Sequence, residues 1–139
     1  MTCLRIVPIL LLLSAGAAFA QPDQRQAAVE AVIVRSLLER AAFNACAALL
    51  PDADAYRGTI ADSWERDLDE AAELLSAAGH APDFITLLAV RFDLAKATPE
   101  FGSRDELDAY CAMLGDWVRR FETFLFSLPQ IEIRKMTGN

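Results

Sequence analysis

Two of the three cysteines in this sequence, Cys46 and Cys111, lie within segments that have helical periodicity. A catalytic thiolate needs a neighbouring base, and His80 is the one histidine of the sequence. A structural zinc site needs four suitable ligands, which two cysteines and one histidine do not provide. The pair is therefore predicted to form a disulfide, with two buried free thiols as the alternative.

The third cysteine, Cys3, belongs to an N-terminal segment that is typical of a signal peptide. Arg5 precedes an apolar stretch over residues 6–13, and Ala18-Phe19-Ala20 matches the small-residue pattern of a cleavage site. We predict a signal peptide over residues 1–20 and a single helical domain over residues 21–139, with a retained N-terminal anchor as the alternative. No later stretch offers about 20 consecutive apolar residues, so no stable membrane span is expected after cleavage. The predicted location is periplasmic or secreted, where a disulfide persists.

Charge and composition exclude one class of partner. The 139 residues include 13 Lys and Arg against 20 Asp and Glu, which gives a formal net charge of −7. A chain with this balance and no basic stripe does not favour phosphate backbones, so no binding to nucleic acid is expected.

The acidic residues suggest two kinds of site. The segment from Asp52 begins like a calcium loop, but Arg57 stands where glycine is required and Ser63 where glutamate is required. Neither a di-iron nor a haem motif is present, and no metal or cofactor is predicted. Four acidic residues fall on one side of the second helix, and this side is either a solvated surface or a contact face for a basic partner. They are Asp62, Glu65, Asp69 and Glu73.

The elements that position these residues are predicted to be four helices. The first covers about residues 24–50, and the second starts between residues 52 and 59 and ends at Gly79. The third covers residues 82–98 and the fourth covers residues 103–127. Short connections favour antiparallel neighbours, so the predicted fold is an all-α, four-helix up-down bundle. In that order Cys46 and Cys111 lie at similar heights on adjacent helices. Several polar side chains are predicted to line the solvent side of the first helix: Arg35, Ser36, Glu39, Arg40 and Asn44.

The segment after Pro129 is predicted to be extended, with Ile131 and Ile133 on one side. Phe126 falls outside the apolar stripe of the preceding helix. Either this tail folds back over Phe126, or the three apolar residues form an exposed patch that binds a partner.

A leader, one cysteine late in the first helix and Tyr110-Cys111 early in the last helix together resemble small exported helical proteins of proteobacteria. The resemblance implies an all-helical exported domain and no particular activity. We predict a binding or interaction module that is not an enzyme and whose partner is another envelope protein. The alternative function is a periplasmic acid-stress chaperone, because acid would neutralise many carboxylates and could expose the apolar surface of the third helix.

Overall fold

The computed structural model describes residues 22–123 and 126–138, and for residues 22 and 23 the backbone alone. These residues form seven α-helices and no β-strand. The predicted signal peptide, residues 1–20, lies outside them. None of the described helices is both long and apolar enough to cross a membrane. The helices are α1 (Pro22–Cys46), α2 (Ala53–Ala77), α3 (Pro82–Arg91), α4 (Leu94–Ala97), α5 (Arg104–Ala112), α6 (Trp117–Glu122) and α7 (Pro129–Thr137), with a 3₁₀ turn at Ala47–Leu49.

The two long helices, α1 and α2, form an antiparallel pair. Arg57, near the start of α2, contacts Asn44, near the end of α1, whereas Asp67 contacts Arg40 further from the connection. Along both helices the buried apolar residues recur at three- and four-residue steps, which places them on one face. The central apolar core includes Ile33, Phe43, Ile60, Trp64, Ala71, Leu75, Phe121 and Ile133.

The predicted third and fourth helices are each interrupted. Phe92 leaves the helical conformation, and the Asp93 side chain then caps a new short helix by accepting hydrogen bonds from the backbone of Ala95 and Lys96. Gly115 has a φ of +67°, a conformation that glycine adopts readily, and it separates α5 from α6. The described residues thus form four shorter helices, α3 to α6, where the periodicity predicted two.

The predicted disulfide is present. It joins Cys46, the last residue of α1, to Cys111 on α5, with 5.8 Å between their Cα atoms. Both residues are buried. A capping box begins α5, because the Ser103 hydroxyl accepts from the backbone of Glu106 and the Glu106 carboxylate accepts from the backbone of Gly102.

The prediction of an extended tail was wrong. Residues 129–137 form α7, which packs against α1 and α2. Pro129 occupies the first turn, where its missing N–H costs no helical hydrogen bond, and Gly138 ends the helix in the left-handed conformation.

Candidate functional site

The disulfide removes the thiol chemistry that Cys46 and Cys111 could have offered. His80 lies between α2 and α3 and packs its ring near Phe84, with 5.8 Å between the centroids. Within residues 22–123 and 126–138, no group of three or more metal-ligating side chains comes together. Within the described part of the chain, the candidate sites are therefore surfaces and cavities that could bind a partner.

The predicted acidic face of α2 is exposed along its length. All four carboxylates, those of Asp62, Glu65, Asp69 and Glu73, are on the surface. The structure divides them into two pairs, because Glu65 and Asp69 line a cavity whereas Asp62 and Glu73 do not. Contact between this face and a basic partner stays a prediction.

We call this cavity the acidic cleft; it lies between α2 and the α3–α4 segment and has a volume of about 680 Å³. A third carboxylate, that of Asp93, also lines it. The apolar part of its lining comes from Ala61, Leu68, Phe92 and Leu94. Carboxylates beside apolar surface provide favourable contacts for a group that is both cationic and apolar.

The break between α3 and α4 shapes the acidic cleft. The indole Nε1 of Trp64 donates to the carbonyl oxygen of Phe92 at 3.1 Å and so ties the break to α2. The following residue, Asp93, uses one carboxylate oxygen, Oδ1, to cap α4. Its other oxygen lies 3.7 Å from the exposed Lys96 ammonium, a contact of small energetic weight.

A second cavity, the polar cleft, has a volume of about 820 Å³ and lies beside α5 and the loop that precedes it. Its lining includes Glu100, Ser103 and Arg104. Three residues line both clefts: Asn44, Arg57 and Ala95. The two clefts therefore adjoin, and we call them together the groove.

The loop beside the polar cleft is tied to α1 through side chains. The Asn44 amide nitrogen donates to the Thr98 hydroxyl oxygen at 2.9 Å, and that hydroxyl donates to the Leu94 carbonyl oxygen at 2.7 Å. Asn44 was predicted to lie on the solvent side of helix 1, but it is half-buried in this contact.

The predicted tail patch of Phe126, Ile131 and Ile133 does not form as one exposed surface. At 100° per residue, helical residues 131 and 133 point about 200° apart, whereas an extended chain would place them on one side. Ile133 is accordingly 0% exposed and Ile131 is 48% exposed. The ring of Phe126 packs edge-on against Phe43 with 5.1 Å between centroids. A role for Ile131 in binding a partner stays a prediction.

The prediction that Arg40 lies on the solvent side of the first helix was wrong, because its side chain is buried. Its guanidinium is paired with Asp67 of α2, and one of its terminal nitrogens donates to the Ser127 carbonyl oxygen at 2.9 Å. The guanidinium carbon lies 5.4 Å from the ring centre of Trp64 and 5.2 Å from that of Phe126. Ser36, which was also expected to face solvent, is buried beside it, and the Arg40 guanidinium lies 3.5 Å from its carbonyl oxygen.

Gln130 completes this buried polar centre from α7. Its amide nitrogen donates to the Asp67 carboxylate at 3.2 Å. Nε of Arg40 and Oε1 of Gln130 have no hydrogen-bond partner among the described residues. We call Arg40, Asp67 and Gln130 the ionic centre, since they join α1, α2 and α7 in the interior.

Desolvation sets the direction of both pKa shifts in the ionic centre. Burial raises the pKa of Asp67, while the charge of Arg40 and the hydrogen bond from Gln130 oppose the rise. Burial likewise lowers the pKa of Arg40, and Asp67 opposes that change. An arginine remains protonated in proteins even so, and it keeps a positive charge in the interior.

The residue before Arg40 also holds the chain ahead of α7. The Glu39 carboxylate accepts a hydrogen bond from the Ser127 backbone N–H at 2.7 Å and forms an ion pair with Arg120 of α6. Ser127 is therefore bonded through both backbone groups to consecutive residues of α1. Because these polar groups bond to one another, we assign them a role in stabilising the fold rather than in binding a ligand.

Comparison with models of protein families, with curated proteins and with solved structures finds no significant match.

Proposed function

We propose that the protein is a binding module and that its acidic cleft accepts a segment of a partner protein carrying a Lys or Arg beside an apolar side chain. The observation that carries this proposal is that Glu65, Asp69 and Asp93 line the same cleft as several apolar side chains. The apolar side chain of the partner would bury against Leu68 and Phe92. Its cation would lie beside the three carboxylates.

The dimensions of the cleft suit this task. Its volume of about 680 Å³ is within the roughly 300–1,000 Å³ range of ligand-binding sites. Exposed carboxylates contribute more to the rate and selectivity of association than to affinity, so the apolar contact is expected to supply most of the binding energy. The overall negative charge of the chain also favours encounters with a basic partner.

The proposed location is periplasmic or secreted, and the proposed partner is another envelope protein. The signal-peptide pattern in residues 1–20 supports export, and the Cys46–Cys111 disulfide is compatible with an oxidising compartment. The proposed role is non-catalytic, because the disulfide leaves neither Cys46 nor Cys111 as a free thiol and the groove is lined by groups suited to binding.

The acidic face provides its own matched control for a binding experiment. Glu65→Gln/Asp69→Asn removes two charges from the cleft, and Asp62→Asn/Glu73→Gln removes two charges from the same exposed helix face outside the cleft. Short synthetic peptides that combine Lys or Arg with Leu or Phe would be titrated into the oxidised protein and followed by fluorescence anisotropy. The same variants would be compared in cross-linked captures from an envelope extract.

We expect the cleft variant to raise the Kd by about tenfold while the control variant changes it less than about threefold. A variant Leu68→Ser should weaken binding at high salt, where the electrostatic contribution is screened. Equal losses from both charge variants would show attraction by net charge alone. No loss from the cleft variant would place the binding site elsewhere.

A further inference from the structure

Arg57 lies where the acidic cleft and the polar cleft meet, and it lines both. Its Nε donates to the carbonyl oxygen of Asn44 at 3.2 Å. That carbonyl belongs to the last turn of α1, where helical acceptors lack a partner within the helix. The contact anchors the guanidinium by its inner nitrogen and leaves the two terminal nitrogens without a hydrogen-bond partner among the described residues.

Among the described arginines that are not exposed, Arg57 differs from Arg40 and Arg120 in forming no ion pair. Arg40 is paired with Asp67, and Arg120 is paired with Glu39. Arg57 is half-buried, yet no carboxylate of the described chain lies within ion-pair distance of it. A partly desolvated cation gains from a bound anion because the local dielectric is lower than that of water.

We propose that Arg57 binds a carboxylate of the ligand through its two terminal nitrogens. A planar guanidinium matches a carboxylate with two parallel hydrogen bonds, so this geometry favours a carboxylate over a neutral amide of the same shape. Apolar surface lies on both sides, at Leu68 and Phe92 in one cleft and at Phe101 in the other.

This inference takes the class of ligand, a peptide segment, from the proposed function. It adds that the segment carries a carboxylate as well as a cation. Glu65 and Asp93 line the acidic cleft and Glu100 lines the polar cleft, so an anion that brings neither an apolar group nor a cation is disfavoured at Arg57. A segment with a cation in the acidic cleft and a carboxylate at Arg57 satisfies both signs of charge. The carboxylate is a side chain or a free chain end of the partner.

The test separates the carboxylate from the rest of the ligand. Phenylacetate and its neutral analogue phenylacetamide would be titrated into the ¹⁵N-labelled, disulfide-bonded protein, and the arginine Nε–Hε resonances and the backbone amide resonances would be followed by NMR. Arg57→Gln removes the anchored cation. Arg66→Gln is the matched control, because it removes the same charge from an exposed position of α2 that does not line the groove.

We expect phenylacetate to shift the Arg57 resonance at millimolar concentration and phenylacetamide to leave it unchanged. Arg57→Gln should weaken phenylacetate binding about tenfold or more, and Arg66→Gln should preserve it. Equal responses to the two compounds, an unchanged response in Arg57→Gln, or no response at all would each overturn the carboxylate site. Basic peptides that bind equally well with a carboxylate or an amide would overturn it while leaving the proposed function intact. If phenylacetate binds at Arg57 but the basic peptides do not bind, the proposed function is overturned and the carboxylate contact is not.

Discussion

Replacement of Arg40 by methionine should be among the most destabilising single changes in this protein. The change leaves the Asp67 carboxyl buried without its cation and the Ser127 carbonyl without its side-chain donor. It also removes the cation from between the rings of Trp64 and Phe126. Loss of one partner of a buried ion pair costs about 3–5 kcal/mol, a large part of the roughly 5–15 kcal/mol that stabilises a domain.

The pH dependence of that loss follows from the raised pKa of Asp67. Because the folded state holds this proton more tightly than the unfolded chain, Asp67 favours folding most at acidic pH, and that contribution falls as pH rises through the folded pKa. Arg40→Met removes the charge that opposes the rise, so the folded pKa of Asp67 should climb further. The stability deficit of the variant should therefore be larger near pH 7 than near pH 4.5.

Urea unfolding followed by tryptophan fluorescence provides the measurement, since Trp64 and Trp117 are buried. The matched control is Arg40→Met/Asp67→Leu, which replaces both charges by apolar groups and should recover at least half of the loss. A single variant with wild-type stability, or a deficit that is the same at both pH values, would refute this account of the ionic centre.

Three further predictions concern the disulfide, α7 and a turn. Thiol titration of the unfolded, unreduced protein should find neither Cys46 nor Cys111 free, and reduction should lower stability by about 4 kcal/mol in the chain-entropy model for a 65-residue separation; two titratable thiols per chain would rule the bond out. Ile133→Ala should cost about 2–4 kcal/mol in urea unfolding while Ile131→Ala costs less than about 0.5 kcal/mol, and similar values would contradict the helical register of α7. Gly115→Ala should cost about 1–2 kcal/mol through its left-handed backbone alone, because its Cβ would have open space; a neutral result in the same assay would argue against this turn.

Helical periodicity predicted the helical class and the disulfide because both depend on local spacing and on the order of elements. It did not reveal the interruptions. Gly115 and Asp93 are ordinary helix-ending and helix-capping residues, but each follows an apolar stretch whose spacing remains consistent with one continuous helix. Packing decided between continuing the helix and ending it, since the break at Phe92 lets its carbonyl oxygen accept from Trp64.

The ionic centre was missed because charged residues are usually assigned to solvent. Two signals were nevertheless present. Asp67 stands three residues after Trp64 on the buried stripe of α2, and Arg40 stands seven residues after Ile33 on that of α1. At helical spacing both charges fall on the same faces as these two buried residues. Their mutual pairing depends on the tertiary arrangement of α1 and α2, which no short-range pattern contains. The groove could not be predicted from the sequence either, because its walls come from segments far apart in the chain.

The contacts of Ser127 and Gln130 have a consequence for how the protein is made. Arg40 and Asp67 meet when α1 and α2 pair, but their remaining polar partners come from residues synthesised much later. A nascent chain that has not yet reached Gln130 would have to bury two charges with an incomplete set of hydrogen bonds, which is unfavourable. The helical pair should therefore stay open during synthesis, and the core should close only when the first turn of α7 and the segment before it arrive.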